Sequence, residues 1–388
     1  MADKEKETKN EPKTDLQKSK EKAKLQREDT LERLVVLGEH LIKQINDGQN
    51  PNISIPVRGS RNVEFDTVNK KIVLGGKVAH RYFFNVAHAR RFMQTLLVAS
   101  YAKKDLLEGN LTATLRDLYY AKKHTIPGTK ENTIEEQKES DLAIVDLEVA
   151  LDTFRERLHL RAEPKGRMAG DMVIQDRVRD KIDTIDLSHM GSGGWAVPSI
   201  VEQVEFKDLD AEYVLVAEKN AVFDRLNEDE YWAKNKCLIM TTAGQAARGA
   251  RRLLQRLSQE LNLPVYALTD ADPYGFYIYS TMKYGSMALA HESDRLGCPA
   301  MKFLGMSISD IEHYNLRDVT IKAKDIDIKR AEEIKQYDWF KSKPWQAELN
   351  KFLEKKLKAE IQALSSKNLQ YISNTYLPDK IKSQDFLP

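Results

Sequence analysis

Cysteine is scarce: the 388 residues contain two, Cys237 and Cys298, far apart and without a CxxC or HxxxH spacing nearby. That rules out a disulfide framework and argues against both a structural zinc site and an oxidising compartment. Long apolar runs are missing as well. No stretch of about 18 hydrophobic residues occurs, and the charged amino terminus lacks the basic patch and apolar core of a leader. The chain is expected to be neither secreted nor membrane-spanning, hence cytoplasmic. Net charge is nearly absent too, since 61 Lys+Arg face 59 Asp+Glu. Coating nucleic acid by bulk charge is therefore excluded, but a basic face balanced by an acidic site elsewhere is not. The phosphate-loop pattern GxxxxGK[ST] does not occur, so the chain shows no P-loop ATPase of its own.

What is present reads as two or three domains at about 100 to 200 residues each. Residues 1–29 alternate Lys and Glu with almost no apolar side chain, the composition of a mobile charged tail. From 30 to 47, Leu31, Leu34, Val35, Leu41, Ile42 and Ile45 recur at helical spacing after a cap at Asp29 or Thr30. This amphipathic helix needs a groove, on its own domain or on a partner. Residues 51–80 carry Pro51, Pro56, Gly59 and a strand-like run over 71–74, so that 30–80 reads as a helix and a β-containing linker. Helical patterns then fall at 85–107, 114–124 and 140–159, followed by strands at 166–176 and 182–187. Three helices and a β-hairpin is the order of a winged helix, a DNA-binding variant of the helix-turn-helix, here spanning 81–190. Arg155, Arg157, Arg161, Lys165, Arg167, Arg177, Arg179 and Lys181 crowd the proposed wing, as a nucleic-acid contact would.

Gly191-Ser192-Gly193-Gly194 opens a linker over 191–207. Beyond it, from 208 to 388, short apolar strands at 213–217, 237–241 and 265–269 alternate with helices at 221–227, 246–261 and 275–284. That alternation means a parallel sheet covered on both faces. A Lys/Glu-rich helical extension, including a helix over 345–363, packs on it.

In parallel sheets, ligands bind beyond the carboxyl ends of the strands. Glu218 follows the strand Tyr-Val-Leu-Val-Ala, and Asp270 and Asp272 follow Val-Tyr-Ala-Leu-Thr. In an extended segment two carboxylates two residues apart share one side, so both can reach one cation. Asp270 and Asp272 alone would pass for turn and cap residues. With Glu218 at the same edge, three carboxylates would repel one another without a cation, and hard oxygen donors in this number suit Mg²⁺.

A second constellation is Leu115-Arg116-Asp117-Leu118-Tyr119-Tyr120. On a helix Arg116 and Tyr120 are one turn apart and share a face, whereas Tyr119 points about 100° away. A phenol with a pKa of about 10 is a poor nucleophile, but an arginine and a metal-bound phosphate beside it would stabilise its phenolate. Tyrosine, acidic metal site and DNA-binding module together equip a protein for phosphodiester transesterification.

At these motifs the chain resembles a known family, the A subunits of topoisomerase VI, the type IIB DNA topoisomerase, related to the meiotic double-strand-break transesterase. Leu-Arg-Asp-Leu-Tyr-Tyr at 115–120, Val-Ala-Glu-Lys-Asn-Ala-Val-Phe at 216–223 and Asp-Ala-Asp-Pro-Tyr-Gly at 270–275 occur in the family's order. The resemblance implies a winged-helix (CAP-like) domain bearing the nucleophile, then a Toprim metal-binding domain. It implies attack by the second tyrosine, Tyr120, assisted by Arg116 and by Mg²⁺ on Glu218, Asp270 and Asp272. It further implies double-stranded DNA as substrate, a homodimer with one tyrosine per strand, and a GHKL-type ATPase B subunit that binds ATP in an A2B2 assembly. One departure stands out: many members carry Gly-Lys-Gly-x-Pro-Asp where this chain has Thr242-Ala243-Gly244-Gln245-Ala246-Ala247, although Arg248, Arg251 and Arg252 keep a basic helix start nearby. A Toprim nuclease or primase using water or a 3′-hydroxyl, and a DNA-binding scaffold without chemistry, are the alternative readings.

Overall fold

The computed structural model describes residues 15–178 and 181–388, and the chain divides into two compact units. The first holds residues up to Pro56 together with Val78–Ala162; the second holds Val57–Lys77 and Glu163–Pro388.

The first unit is mainly helical. Its opening helix runs Asp15–Asn46 and so begins inside the segment expected to be a mobile tail, of which residues 1–14 lie outside the described residues. Lysine, glutamate, glutamine and alanine are strong helix formers, and ion pairs one turn apart, Lys24 with Glu28 and Asp29 with Arg33, reinforce them. Thr30 is not a cap but sits mid-helix, its hydroxyl donating to the Gln26 carbonyl at 2.8 Å. The apolar stripe turns into its own unit: Leu34 and Leu41 are buried, Leu34 in one core with Val98, Leu118 and Leu147. Val36, Ile42 and Ile45 stay exposed.

Strand Asn52–Pro56 pairs antiparallel with Val78–Tyr82. Asn85 then caps helix Val86–Tyr101, accepting the Ala87 N–H at 2.9 Å. The helix expected to continue to residue 107 changes winding into a π-helical turn at Ala102–Leu107, which buries Leu106 and Leu107. Helices Leu115–Lys122 and Gln137–Ala150 complete the unit. The last was expected to reach residue 159 but stops before Asp152, which takes a φ of 47°.

In the second unit, residues read as a linker form a hairpin, Val63–Asp66 with Lys71–Leu74. Ile72 is buried with Tyr284 and Ala290, and Phe65 meets Tyr284 edge-on at 5.5 Å. The hairpin read as a wing, Met172–Val178 with Lys181–Asp186, also belongs here, where Val204–Leu209 makes it a three-stranded sheet. Alternating polarity specifies a hairpin without specifying which helices it joins.

The centre of this unit is a six-stranded sheet in the order Trp195–Ala196, Arg167–Ala169, Cys237–Thr241, Tyr213–Ala217, Val265–Leu268, Lys302–Gly305. The last four strands are parallel. Every side chain of Tyr213–Ala217 and Cys237–Thr241 is buried, as strands covered on both faces require. Helices Asn220–Glu228, Arg248–Glu260 and Pro273–Tyr284 follow the first three parallel strands in sequence. Trp345, 1% exposed, packs on Phe276, Tyr279 and Phe303 and anchors the carboxy-terminal helix Lys343–Lys355 to the sheet layer. That helix ends eight residues earlier than the expected 363, where Lys356 adopts a φ of 52°. The chain after it crosses the edge of the sheet that carries the acidic motifs, where Ala359 bridges to Ala271. No helix among the described residues is long and apolar enough to cross a membrane.

Candidate active site

The tyrosine helix is fixed at its start by a capping box: Thr114 Oγ1 accepts the Asp117 N–H at 3.1 Å, and Asp117 accepts the Thr114 N–H at 2.8 Å. Leu118 is its buried anchor. With the helix rotation so set, the two tyrosines differ sharply although their rings touch, 4.9 Å between centroids. The Tyr119 hydroxyl donates to the Glu135 carbonyl at 3.0 Å and accepts from Lys123 Nζ at 2.9 Å. Tyr120 is 60% exposed, and its hydroxyl has no hydrogen-bond partner among the described residues. The Arg116 guanidinium lies 5.8 Å from the Tyr120 ring centroid, a cation-π contact that holds a positive charge on the ring's face.

The acidic motifs share the carboxyl edge of the parallel sheet in the second unit. The Asp270 N–H donates to Glu218 Oε2 at 3.2 Å, which ties the ends of adjacent strands together. Asp272 caps helix Pro273–Tyr284 by accepting the Gly275 N–H at 2.7 Å. Gly275 is required there, because a Cβ would stand 2.3 Å from the Asp270 carbonyl oxygen. The cap role weighed for Asp272 is thus real, yet it engages one oxygen; the other faces Lys358 Nζ at 3.7 Å.

Burial, and then the neighbouring charges of Asp270 and Asp272, push the Glu218 carboxyl up to about 7. Asp272 is raised above the usual carboxylate range for the same reasons, burial first. Like charges held this close, beside a buried Thr269 hydroxyl with no partner among the described residues, form an oxygen-rich edge. Such a donor set fits a hard divalent cation.

Sequence reasoning missed the counter-charges. Lys219 Nζ lies 2.8 Å from Asp270 Oδ2 and 2.9 Å from Glu360 Oε2, and it also meets Gln362 Oε1 at 3.1 Å. Burial of this lysine is outweighed by those partners, so its pKa is raised. Lys358 adds a second cation, 3.1 Å from the buried Asp327. Ile361 N–H donates to Asp270 Oδ1 at 2.9 Å, beside the bridge from Ala271 to Ala359. Lys219 was visible, next to Glu218 in the motif at 216–223; the segment 358–362 lies about 140 residues beyond that motif and carried no signal.

Several basic residues prove to be structural. Arg248 and Arg251 are buried, Arg248 against Glu292 at 2.6 Å, and Arg252 pairs with Glu202 at 3.1 Å. They do not form an open basic helix start. Instead the Thr242–Ala247 turn folds back on the strand end, its Gly244 N–H donating to the Glu218 carbonyl at 2.7 Å. Of the cluster assigned to a wing, Arg155 pairs with Glu156, Arg157 with Asp29 and Arg167 with Asp224. Arg179 lies outside the described residues.

Three family models match the chain in succession. Residues 90–160 match the model for type IIB DNA topoisomerase, and 163–210 match that for the all-beta domain of the DNA topoisomerase VI alpha chain. Residues 213–381 match the Toprim domain shared by the topoisomerase 6 A subunit and Spo11. The chain is 46% identical over 382 residues to the A subunit of type 2 DNA topoisomerase 6 from Pyrococcus abyssi, covering 96% of this chain and 99% of that protein. It is 36% identical over 357 residues to the corresponding protein of Methanothermobacter thermautotrophicus, at 92% and 98% coverage. The counterpart in Methanocaldococcus jannaschii is 34% identical over 366 residues, at 93% and 97% coverage.

Proposed function

Because the chain belongs to the topoisomerase VI A-subunit family of type IIB DNA topoisomerases, we propose that it cuts and rejoins DNA through Tyr120. The family membership makes it a DNA topoisomerase subunit that works on DNA within a multi-subunit complex, and its Toprim domain implies use of a divalent metal.

The observation that carries the assignment is the contrast within the tyrosine pair. Tyr119 has its hydroxyl committed to Glu135 and Lys123, whereas Tyr120 offers a free hydroxyl to solvent with Arg116 against its ring. In the proposed step the Tyr120 hydroxyl gives up its proton and its oxygen attacks a backbone phosphorus. The bond to the 3′-oxygen breaks, a 5′-phosphotyrosine forms, and the departing 3′-oxygen takes up a proton. Religation is the reverse, with the 3′-hydroxyl displacing the phenol. One phosphodiester replaces another, so no external energy is needed for either step. Arg116 stabilises the phenolate and the charge on the phosphoryl oxygens.

Mg²⁺ is the proposed cation, with Glu218, Asp270 and Asp272 as its ligands; bound there, it supplies Lewis-acid neutralisation of phosphate charge. What supports this is the repulsion among the three carboxylates and the raised Glu218. We read the helices of the first unit as the part of the DNA-binding module that carries the nucleophile, and the second unit as the Toprim domain, preceded by the all-β segment at 163–210 and followed by a helical extension. Two copies supply one tyrosine per strand, and a GHKL-type ATPase subunit completes an A2B2 complex that couples ATP to strand passage.

The test is incubation with supercoiled plasmid, Mg²⁺ and the ATPase partner, followed by detergent and protease. Protein-linked linear DNA that disappears in Tyr120→Phe is the expected result. Cleavage that leaves free 5′ ends would replace this reading with a metal-dependent nuclease.

A further inference from the structure

Both carboxylate oxygens of Asp270 are held by groups of its own chain. Its Oδ1 accepts from the Ile361 N–H at 2.9 Å and its Oδ2 holds Lys219 Nζ at 2.8 Å. The ammonium in turn has three N–H donors, and it meets three acceptor oxygens, on Asp270, Glu360 and Gln362, at 2.8, 2.9 and 3.1 Å. A lysine bound from three separate positions is not a wandering surface charge. It fixes the segment after Lys356 onto the acidic edge, and it neutralises part of that edge.

We propose that Lys219 is a positioning residue: it is the resident counter-charge of the acidic edge, and displacing it sets how tightly a divalent cation binds there. This rests on the reading that Glu218, Asp270 and Asp272 are the cation's ligands. A dication arriving on Asp270 repels the ammonium whichever oxygen it takes, and it must also compete for Oδ2. Lys219 therefore shifts outward, keeping Glu360 and Gln362 as partners, and the exchange opposes cation binding. Without a cation, the same ammonium keeps three crowded carboxylates from forcing the strand ends apart.

The experiment is calorimetric titration of the full-length chain with MgCl2, comparing wild type, Lys219→Met, Lys219→Arg and Asp270→Ala, with melting curves in EDTA. Lys219→Met should bind Mg²⁺ about tenfold more tightly, the order that a unit charge a few ångströms from a dication is worth in a solvent-screened site. The same variant should melt lower in EDTA and gain more from added Mg²⁺. Lys219→Arg, which keeps the charge, should bind as the wild type does, and Asp270→Ala should lose binding. A residue with only a structural role predicts the opposite sign, since a damaged site binds more weakly. If Lys219→Met fails to fold, Lys219→Gln, which keeps a donor toward Asp270, carries the same expectation. Unchanged or weaker binding in the neutral variants, with Asp270→Ala still abolishing it, overturns the role of Lys219 alone. Unchanged binding in Asp270→Ala overturns the ligand reading, and this proposal with it.

Discussion

The tyrosine helix and the acidic sheet edge solve opposite problems. Tyr120 is held by a helix of about two turns and touches little; its reactivity depends on being left free, and the work of fixing it falls on Thr114, Asp117 and Leu118. Glu218, Asp270 and Asp272 sit at strand ends whose strands are buried, and they are pressed together by contacts reaching from residue 218 to residue 362. A nucleophile can be displayed cheaply on a local element. A cluster of like charges cannot, because it needs a rigid scaffold to oppose its repulsion and nearby cations to offset it. Changes on the helix should therefore affect chemistry with little effect on stability, and changes at the edge should affect both.

The largest expected effect tests the first half of that contrast. Tyr120→Phe removes one exposed oxygen that has no partner among the described residues, so cleavage should fall to background while the melting temperature stays within error of wild type. Covalent adduct formation and a thermal melt measured on the same preparation decide it. A variant that still forms adduct shows that the nucleophile is another residue.

Next in size is Arg116→Lys. The charge survives, but the planar fork that can make two bonds to a phosphate does not, so cleavage should drop on the order of ten- to a hundredfold. Binding of an uncut duplex should change far less, as followed by fluorescence anisotropy at fixed salt. Full cleavage by the lysine variant would reduce Arg116 to a general electrostatic contact.

At the acidic edge the effect moves into stability and acquires a pH dependence. Glu218 is raised in the fold from an ordinary 4.5 to about 7. The folded protein therefore holds a proton that the unfolded chain gives up between these values. Glu218 adds no penalty below about 4.5, and the penalty grows as pH rises toward 7, reaching on the order of 3 kcal/mol above it. Glu218→Gln cannot ionise, so in EDTA at pH 8 it should be the more stable protein, with the advantage shrinking to nothing near pH 4.5. Denaturant unfolding across that range checks it. A variant that is destabilised at every pH would mean that hydrogen bonding to the Asp270 N–H outweighs the repulsion.

These contrasts also mark what the sequence could reveal. The strands 213–217 and 237–241 were legible to the residue, because a buried parallel strand is a continuous apolar run with nothing else to be. The motif carboxylates were legible because they directly follow such strands. Lys358, Glu360 and Gln362 were not, since their partners are set by how the carboxy-terminal segment crosses the edge, a tertiary fact without local periodicity. The hairpin at 172–186 was legible as a hairpin, and that at 63–74 only as a strand-like run in a linker; neither was legible as a member of the second unit, because pairing within a hairpin is local and the packing of its face is not. The part of the charged run at 15–29 was misjudged for a related reason: poor burial argues against a core, but lysine and glutamate still favour a helix.

The smallest expected effect is the most demanding test of the comparison, because it concerns the residue beside the nucleophile. Tyr119 and Tyr120 are adjacent, chemically identical and in ring contact, so any account based on composition alone treats them alike. The hydrogen bonds do not. Tyr119→Phe removes a donor to the Glu135 carbonyl and an acceptor for Lys123. The site is partly solvated, and water can replace both bonds, so the loss should be about 1 kcal/mol of stability. Cleavage should persist, lowered only as far as the helix is less firmly held against the 122–135 segment. The two Phe variants then form a reciprocal pair, one losing chemistry and keeping stability, the other losing a little stability and keeping chemistry. If Tyr119→Phe is the variant that cannot form the covalent adduct, the free hydroxyl of Tyr120 is not what the helix is built to display, and the nucleophile is the tyrosine that Lys123 touches.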